Sequence, residues 1–372
     1  MECFRPENSF YWIAGPCSAE SEQSLLEVAR KLKESGYCQL FRAGAWKPRT
    51  RPGTFEGFGL RAVRWLLTVQ REIGLPVATE AANAEQAHIL LHHGFDAIWL
   101  GARTTVNPFL VQEIADVVAG APITVIVKNP INADLKLWIG ATERILKASP
   151  AKVMAVHRGF QSYDEKLYRY SPRWDLAIQY MAALPSVPLL CDPSHIAGRR
   201  DLIPEVAKKA LELGMAGLMV EVHLNPAEAL SDSAQQLTPE AWCQLASQLV
   251  HQLREAQALG HESRLERLRI MIDSLDDELF TLLARRLDYV DQIGQYKNEN
   301  NIPIFQPDRW EQLHMKRSSM ASRLNLSPEF VESIINAIYA ESMRRQTLIY
   351  QKSPSIPADP RLEKALEKLG AG

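Results

Sequence analysis

The sequence predicts an α/β (β/α)8 barrel followed by an all-α three-helix domain that dimerises. Three observations predict it. Eight short apolar runs alternate with helix-length stretches over residues 1–255. A helical pattern without proline runs from about residue 263 to about Lys297. No Gly-x-Gly-x-x-Gly follows the first run, so an open sheet that binds a dinucleotide lacks its signature. A chain of 372 residues has room for two such domains.

The eight runs are YWIAG (11–15), QLFRAG (39–44), PVATE (76–80), DAIWLG (96–101), PITVIVK (122–128), KVMAVH (152–157), PLLCD (188–192) and GLMVEVH (217–223). Continuous apolar runs of this length suit parallel strands covered on both faces. Between them the spacing is helical, as in Leu25, Val28, Ala29 and Leu32, and several stretches open on a capping residue such as Asn83, Asn107 or Thr238 before Pro239 and Glu240. Strand then helix, repeated eight times, is the barrel pattern.

Composition bounds the partners. Lys plus Arg number 42 and Asp plus Glu 44, for a net charge of −2. Neither a nucleic acid nor an anionic membrane finds the basic excess it would call for. Hydrophobic content of 46% and charged content of 23% are those of an ordinary globular chain. No apolar run approaches the ~18 residues of a membrane span. The stretch from Phe10 to Cys17 is short and follows Arg5, Pro6 and Glu7, which reads as a first buried strand rather than a signal peptide. Five scattered cysteines make no disulfide framework, so a reducing, cytoplasmic compartment is expected.

In a barrel of this kind chemistry gathers where strands end. Two groups of side chains stand there. Arg42, Lys47, Arg49, Arg103, Lys128 and Arg158 are cationic, and the same rim offers few acids by sequence. Such a group suits phosphate and carboxylate oxygens, so a substrate with several negative charges is expected. Cys17, His195, Glu221 and Asp232 form the second group, a thiol, an imidazole and two carboxylates from the first, seventh and eighth strands, which neighbour one another when a barrel closes. These are the donors of a divalent metal, and the mixture does not choose among Mn, Fe, Co and Zn.

Gly15-Pro16-Cys17-Ser18, Lys47-Pro48-Arg49-Thr50, Gly101-Ala102-Arg103 and Asp192-Pro193-Ser194-His195 resemble type I-beta 3-deoxy-D-arabino-heptulosonate 7-phosphate (DAHP) synthase over about residues 5–255. The related 3-deoxy-octulosonate 8-phosphate synthases carry a Lys-Ala-Asn-Arg-Ser type of motif where this chain has Lys-Pro-Arg-Thr, which favours the four-carbon sugar. The resemblance implies condensation of phosphoenolpyruvate with erythrose 4-phosphate and water to DAHP and phosphate. It implies that Arg42, Lys47, Arg103, Lys128 and Arg158 surround phosphoenolpyruvate, that Lys47, Arg49 and Thr50 serve erythrose 4-phosphate, and that Lys47 takes part in proton transfer. It also implies a divalent metal on Cys17, His195, Glu221 and Asp232, with manganese the first expectation.

Residues 256–263 read as a linker, with Gly260 as a stop and Ser263 with Glu266 as a capping box. The helix that follows carries apolar residues at 265, 268, 272, 275, 279, 282, 283, 287, 290 and 293. Its length, about 50 Å for some 35 residues, exceeds what one small domain covers, so a partner chain is expected. Pro303 and Pro307 end that pattern; a second helix is predicted over 308–320 and a third from Ser327-Pro328-Glu329 to Tyr350, which closes a helical domain over 264–350. The tail 351–372 is assigned no role.

Arg269, Arg286 and Lys297 break the apolar stripe and point to an anion site between helices. Leu268-Arg269, Asp273-Ser274-Leu275-Asp276, Leu283-Ala284-Arg285-Arg286, Lys297, Asp308-Arg309, Ser342 and Gln346 resemble the all-helical chorismate mutases. The resemblance implies that Arg269, Arg286, Arg309, Lys297, Ser342 and Gln346 line a site for chorismate and prephenate, with Arg269 reaching across an intertwined homodimer. Lys297 and Gln346 would donate to the ether oxygen of chorismate. Gln306 and Trp310 depart from the family, which commonly has acids there. Two functions are therefore expected of this domain: a working mutase, or an inactive mutase-like module that regulates the synthase. Feedback by prephenate or chorismate fits either.

Overall fold

The computed structural model describes residues 10–47, 53–148, 153–162, 167–258, 262–307, 312 and 323–352. The chain divides into two compact units, residues 1–256 and 257–372. The first is a closed barrel of eight parallel strands in chain order: β1 Tyr11–Gly15, β2 Leu40–Arg42, β3 Val77–Glu80, β4 Ala97–Leu100, β5 Thr124–Lys128, β6 Val153–His157, β7 Leu189–Cys191 and β8 Gly217–Glu221. Its helices are α1 Glu22–Ser35, α2 Leu60–Ile73, α3 Ala84–His92, α4 Pro108–Val118, α5 Leu135–Ala148, α6 Trp174–Ala183, α7 Pro193–Ala197, α8 Ile203–Glu212 and α9 Pro239–Ala258.

Alternation along the strands builds two cores. Ile13, Leu40, Trp99, Ile126, Met154, Leu190 and Met219 fill one cluster. Trp12, Phe41, Ile98, Val125 and Leu218 belong to a second that includes Leu25, Leu66, Trp138 and Trp242 of the helices. Three expected caps in the barrel operate, whereas Ser263, expected to cap the long helix, falls inside it because that helix begins at Glu262. Asn83 accepts the Gln86 N–H at 2.9 Å, Asn107 the Phe109 N–H at 3.0 Å and Thr238 the Ala241 N–H at 3.2 Å.

Closure depends on two glycines. β1 pairs with β8 along its whole length, from Tyr11 opposite Gly217 to Gly15 opposite Glu221. A Cβ on Gly217 would stand 1.9 Å from the Tyr11 carbonyl oxygen, and one on Gly15, where φ is +147°, 2.1 Å from that of Arg42. Only glycine lets these backbones approach so closely.

The second unit contains α10 Glu262–Glu299 and α11 Pro328–Lys352. The lone glycine of the long helix marks where the two approach: a Cβ on Gly294 would sit 2.8 Å from Ile349 Cδ1 and 3.1 Å from Gln346 Cγ. The predicted helix over 308–320 and the tail from 353 lie outside the described residues. No described helix is long and apolar enough to cross a membrane.

His157 shows how completely the barrel wall excludes water. Its ring lies among Trp138, Phe160 and Trp174, with centroids 6.1, 5.6 and 5.4 Å away, and burial pushes its pKa down from 6.5 to about 4. Between those values the unfolded chain binds the proton and the folded one does not. The contribution of neutral His157 is thus complete above pH 6.5 and is lost as pH falls toward 4. The full loss is about 3 kcal/mol. Denaturant unfolding from pH 7 to 4 should show His157→Phe losing less stability over this window than the parent chain. Equal losses would contradict the assignment.

Candidate active site

Three ligand-type side chains meet where β1 and β8 end. The Cys17 Sγ lies 3.1 Å from Asp232 Oδ2, and one donor atom each of Cys17, Glu221 and Asp232 fall within 4.8 Å of one another. His195, on the first turns of α7, brings its Nε2 to 3.9 Å from Glu221 Oε1 while its Nδ1 stands 2.8 Å from Asp192 Oδ2. The sequence-derived ligand set is therefore brought to one place, with His195 outside the most compact triad.

The environment is strongly electrostatic. Burial and then Glu221 push the Cys17 thiol up, against the pull of Lys47, whose Nζ donates to Sγ at 2.8 Å. Burial would raise Asp192, Glu221 and Asp232. His195 opposes it in all three, joined by Lys128, Arg42 and Arg169 respectively, and holds each below the usual carboxylate range. Glu221 Oε1 is buried and accepts no hydrogen bond. A buried thiol among carboxylates, with a carboxylate oxygen that has no hydrogen bond and lies between the Arg42 guanidinium at 3.3 Å and the His195 imidazole at 3.9 Å, is a donor set that fits a divalent cation.

Beside it lies a cavity of about 190 Å³. Lys47, Arg103, Lys128, Arg158 and Arg169 line it, against two carboxylates, Glu80 and Asp232. This excess of positive charge suits an anionic ligand of several charges. Arg158 is held by stacking, its Cζ 3.6 Å from the centroid of Tyr170. Arg42 is buried outside the cavity lining, 4.8 Å from the Trp99 centroid, and pairs with Glu221 at 3.3 Å. Its Nε and Nη1 are buried with no hydrogen-bond partner. Arg49 and Thr50 lie outside the described residues.

Residues 6–258 match the DAHP synthetase I family. The chain belongs to that family. It is 33% identical over 253 residues to phospho-2-dehydro-3-deoxyheptonate aldolase of Thermotoga maritima, covering 68% of this chain and 71% of that protein. The crystal structure of the Thermotoga DAHP synthase superposes with a TM-score of 0.58 at 32% identity, covering 68% of this chain and 70% of that one. A 2-dehydro-3-deoxyphosphooctonate aldolase of Acidithiobacillus ferrooxidans is 27% identical over 259 residues, covering 63% of this chain and 85% of that protein. Residues 268–347 match chorismate mutase type II, so a DAHP synthase domain and a chorismate mutase domain stand on one chain.

In the mutase domain the buried positions among the described residues are few, and half are polar: Lys297, Ser342 and Gln346, alongside Val290, Gly294 and Ile335. Arg286 Nη1 donates to Ser342 Oγ at 2.9 Å, and Lys297 Nζ to the Ile304 carbonyl at 2.7 Å. Gln346 Oε1 is buried without a partner. Burial lowers the Lys297 pKa. Lys297 and Gln306 line a cavity of about 400 Å³. Arg269 is exposed on α10 in this single copy, and Arg309 lies outside the described residues, as does Trp310.

The expectation that acids are scarce around the synthase cations needs correction. Asp192 holds Lys128 at 2.9 Å and Glu221 holds Arg42 at 3.3 Å, while the Cys17 thiol accepts from Lys47 at 2.8 Å. Sequence reasoning passed over Arg169, Tyr170, Gln235 and Gln236, and gave Asp192 a place in a motif but no role. Asp192 caps the short helix α7, accepting the His195 N–H at 3.1 Å. Its other oxygen takes both Lys128 and His195. Replacing Asp192 by Leu strands two buried nitrogen groups and should cost about 3–5 kcal/mol in chemical denaturation, and Lys128→Met in the same chain should recover part of it. A cost below about 1 kcal/mol would mean the acid is not neutralising them.

Proposed function

We propose that the chain is a bifunctional enzyme of the shikimate pathway. Its barrel condenses phosphoenolpyruvate with erythrose 4-phosphate and water to DAHP and phosphate, and its helical domain rearranges chorismate to prephenate. The observation that carries the first half is the meeting of Cys17, Glu221 and Asp232 within 4.8 Å, with His195 beside them, next to a cavity lined by five cationic side chains.

Cys17, His195, Glu221 and Asp232 would hold a divalent cation, manganese first among Mn, Co, Fe and Zn; when bound it supplies Lewis-acid polarisation of the aldehyde oxygen of erythrose 4-phosphate. The remaining work falls to the side chains. Arg103, Lys128 and Arg158 grip the phosphate and carboxylate of phosphoenolpyruvate, with Arg42 holding Glu221 behind them. Lys47, Arg49 and Thr50 receive the second phosphate. Two anions that repel in water are thus kept in reacting range, a proximity effect. Lys47 would give a proton to the new alkoxide.

In the mutase half, Arg269, Arg286, Arg309 and Ser342 hold the two carboxylates of chorismate in the compact conformer. Lys297 and Gln346 donate to the ether oxygen as charge grows there. A homodimer completes the site. In its support, Leu275, Leu279 and Phe280 on α10 are 57%, 57% and 71% exposed in a single copy. Contiguous apolar surface on one helix calls for a partner. The neutral Gln306 at the cavity favours a second reading, a mutase-like module that binds product without turning it over. In either case prephenate or chorismate bound there slows the synthase. A reducing cytoplasm would keep the Cys17 thiol free.

The purified full chain, assayed for both reactions with and without a chelator, should lose the synthase and keep the mutase. Synthase activity that survives exhaustive chelation would overturn the metal reading. Lys297→Ala should lower mutase kcat by about 10²–10³-fold, the scale set by losing one such donor, with chorismate binding retained. A parent chain that binds chorismate but does not turn it over would establish the regulatory reading instead.

A further inference from the structure

The cation ligands come from separate segments, and two of them sit in irregular backbone. Cys17 lies two residues beyond β1. Asp232 has φ of +48°, a left-handed conformation that non-glycine residues seldom adopt. Such loops do not hold side chains at 3 Å without help from neighbours that are themselves fixed.

Two consecutive glutamines provide that help. Gln236 is fully buried. Its Oε1 accepts the Cys17 backbone N–H at 3.0 Å, and its Nε2 donates to the Ser231 carbonyl at 2.8 Å, one residue before Asp232. Gln235 is 1% exposed. Its Nε2 donates to Glu221 Oε2 at 2.7 Å, and its Oε1 accepts from Arg169 at 2.6 Å, while the same Arg169 Nη1 reaches Asp232 Oδ1 at 3.0 Å. The partners fix both amide orientations: a backbone N–H and a guanidinium demand the oxygen, a carbonyl and a carboxylate demand the nitrogen. Neither glutamine lines the substrate cavity.

We infer that Gln235 and Gln236 are positioning residues that hold Cys17, Glu221 and Asp232 in register for a divalent cation. The inference rests on the metal reading above. An amide suits the task because it is neutral. A lysine or arginine in its place would compete with the cation for the same anions, and a carboxylate would repel Glu221 or the Ser231 carbonyl. Gln236 acts through the backbone of Cys17 and Ser231, Gln235 directly on the Glu221 carboxylate, and this difference makes the two separable by experiment.

The full-length chain, stripped of metal, is titrated with Mn2+ by calorimetry and with Co2+ by absorption. Gln235→Met and Gln236→Met, close in size and unable to form these bonds, should each weaken Mn2+ binding about 10–100-fold, the range for lost supporting partners of metal ligands. In the Co2+ form, Gln236→Met should diminish the thiolate-to-cobalt charge-transfer band, and Gln235→Met should retain it. Mutase activity in the same samples should stay at the parent value. Where a methionine variant melts well below the parent, the corresponding Gln→Asn variant is read instead and should show the same direction. Folded variants with Mn2+ affinity within twofold of the parent and an unchanged cobalt band would overturn the positioning role. A parent chain that binds neither ion would instead overturn the metal reading, and the two failures are distinct.

Discussion

The pairing of β1 with β8 is the constraint on which the synthase site depends. It joins the beginning of the barrel sequence to its end, with Gly15 opposite Glu221, and so sets the Cys17 turn beside the strand end and loop that carry Glu221 and Asp232. Burial then does the electrostatic work. Anions that would be independent in water are held a few ångströms apart, and Glu221, Asp192 and Asp232 are met by Arg42, Lys128 and Arg169 from elsewhere on the barrel. Such an arrangement is costly when incomplete. That cost explains why Lys47, Arg42, Lys128 and Arg169 each lean on one member of an anionic or thiol cluster.

The two domains solve the problem of holding an anionic substrate in different ways. The barrel gathers its charges from loops at the ends of several strands, and two of its cations, Arg42 and Lys128, are engaged with the buried acids Glu221 and Asp192. Among the described residues of the helical domain, half of the few buried positions are the polar Lys297, Ser342 and Gln346, while Leu275, Leu279 and Phe280 stay exposed in one copy. Dimerisation, in this reading, both covers those side chains and completes the site.

Much of this was legible in the sequence because it is carried by periodicity and position. Apolar runs reveal strands, the barrel pattern places strand ends together, and Cys17, His195, Glu221 and Asp232 stand at those ends. Gly294 is the one glycine of the long helix, and the structure supplies its reason in the approach of Gln346 and Ile349. What stayed hidden was supporting chemistry. Asp192 stood in a motif, but nothing in the sequence showed that one of its oxygens would meet both Lys128 and His195. Gln235 and Gln236 are neutral and lie in a loop, where no periodicity marks them. Arg169 and Tyr170 belong to the segment after β6, away from any strand end, and reach the site only through the folded path of that loop.

The central claim is that a thiol, an imidazole and two carboxylates share one cation, and the coordination shell tests it most directly. X-ray absorption on the full chain loaded with one equivalent of Zn2+ should show a single sulfur at about 2.3 Å among nitrogen and oxygen neighbours at about 2.0–2.2 Å, and that sulfur should vanish in Cys17→Ser. A shell of nitrogen and oxygen alone in the parent chain would contradict the account.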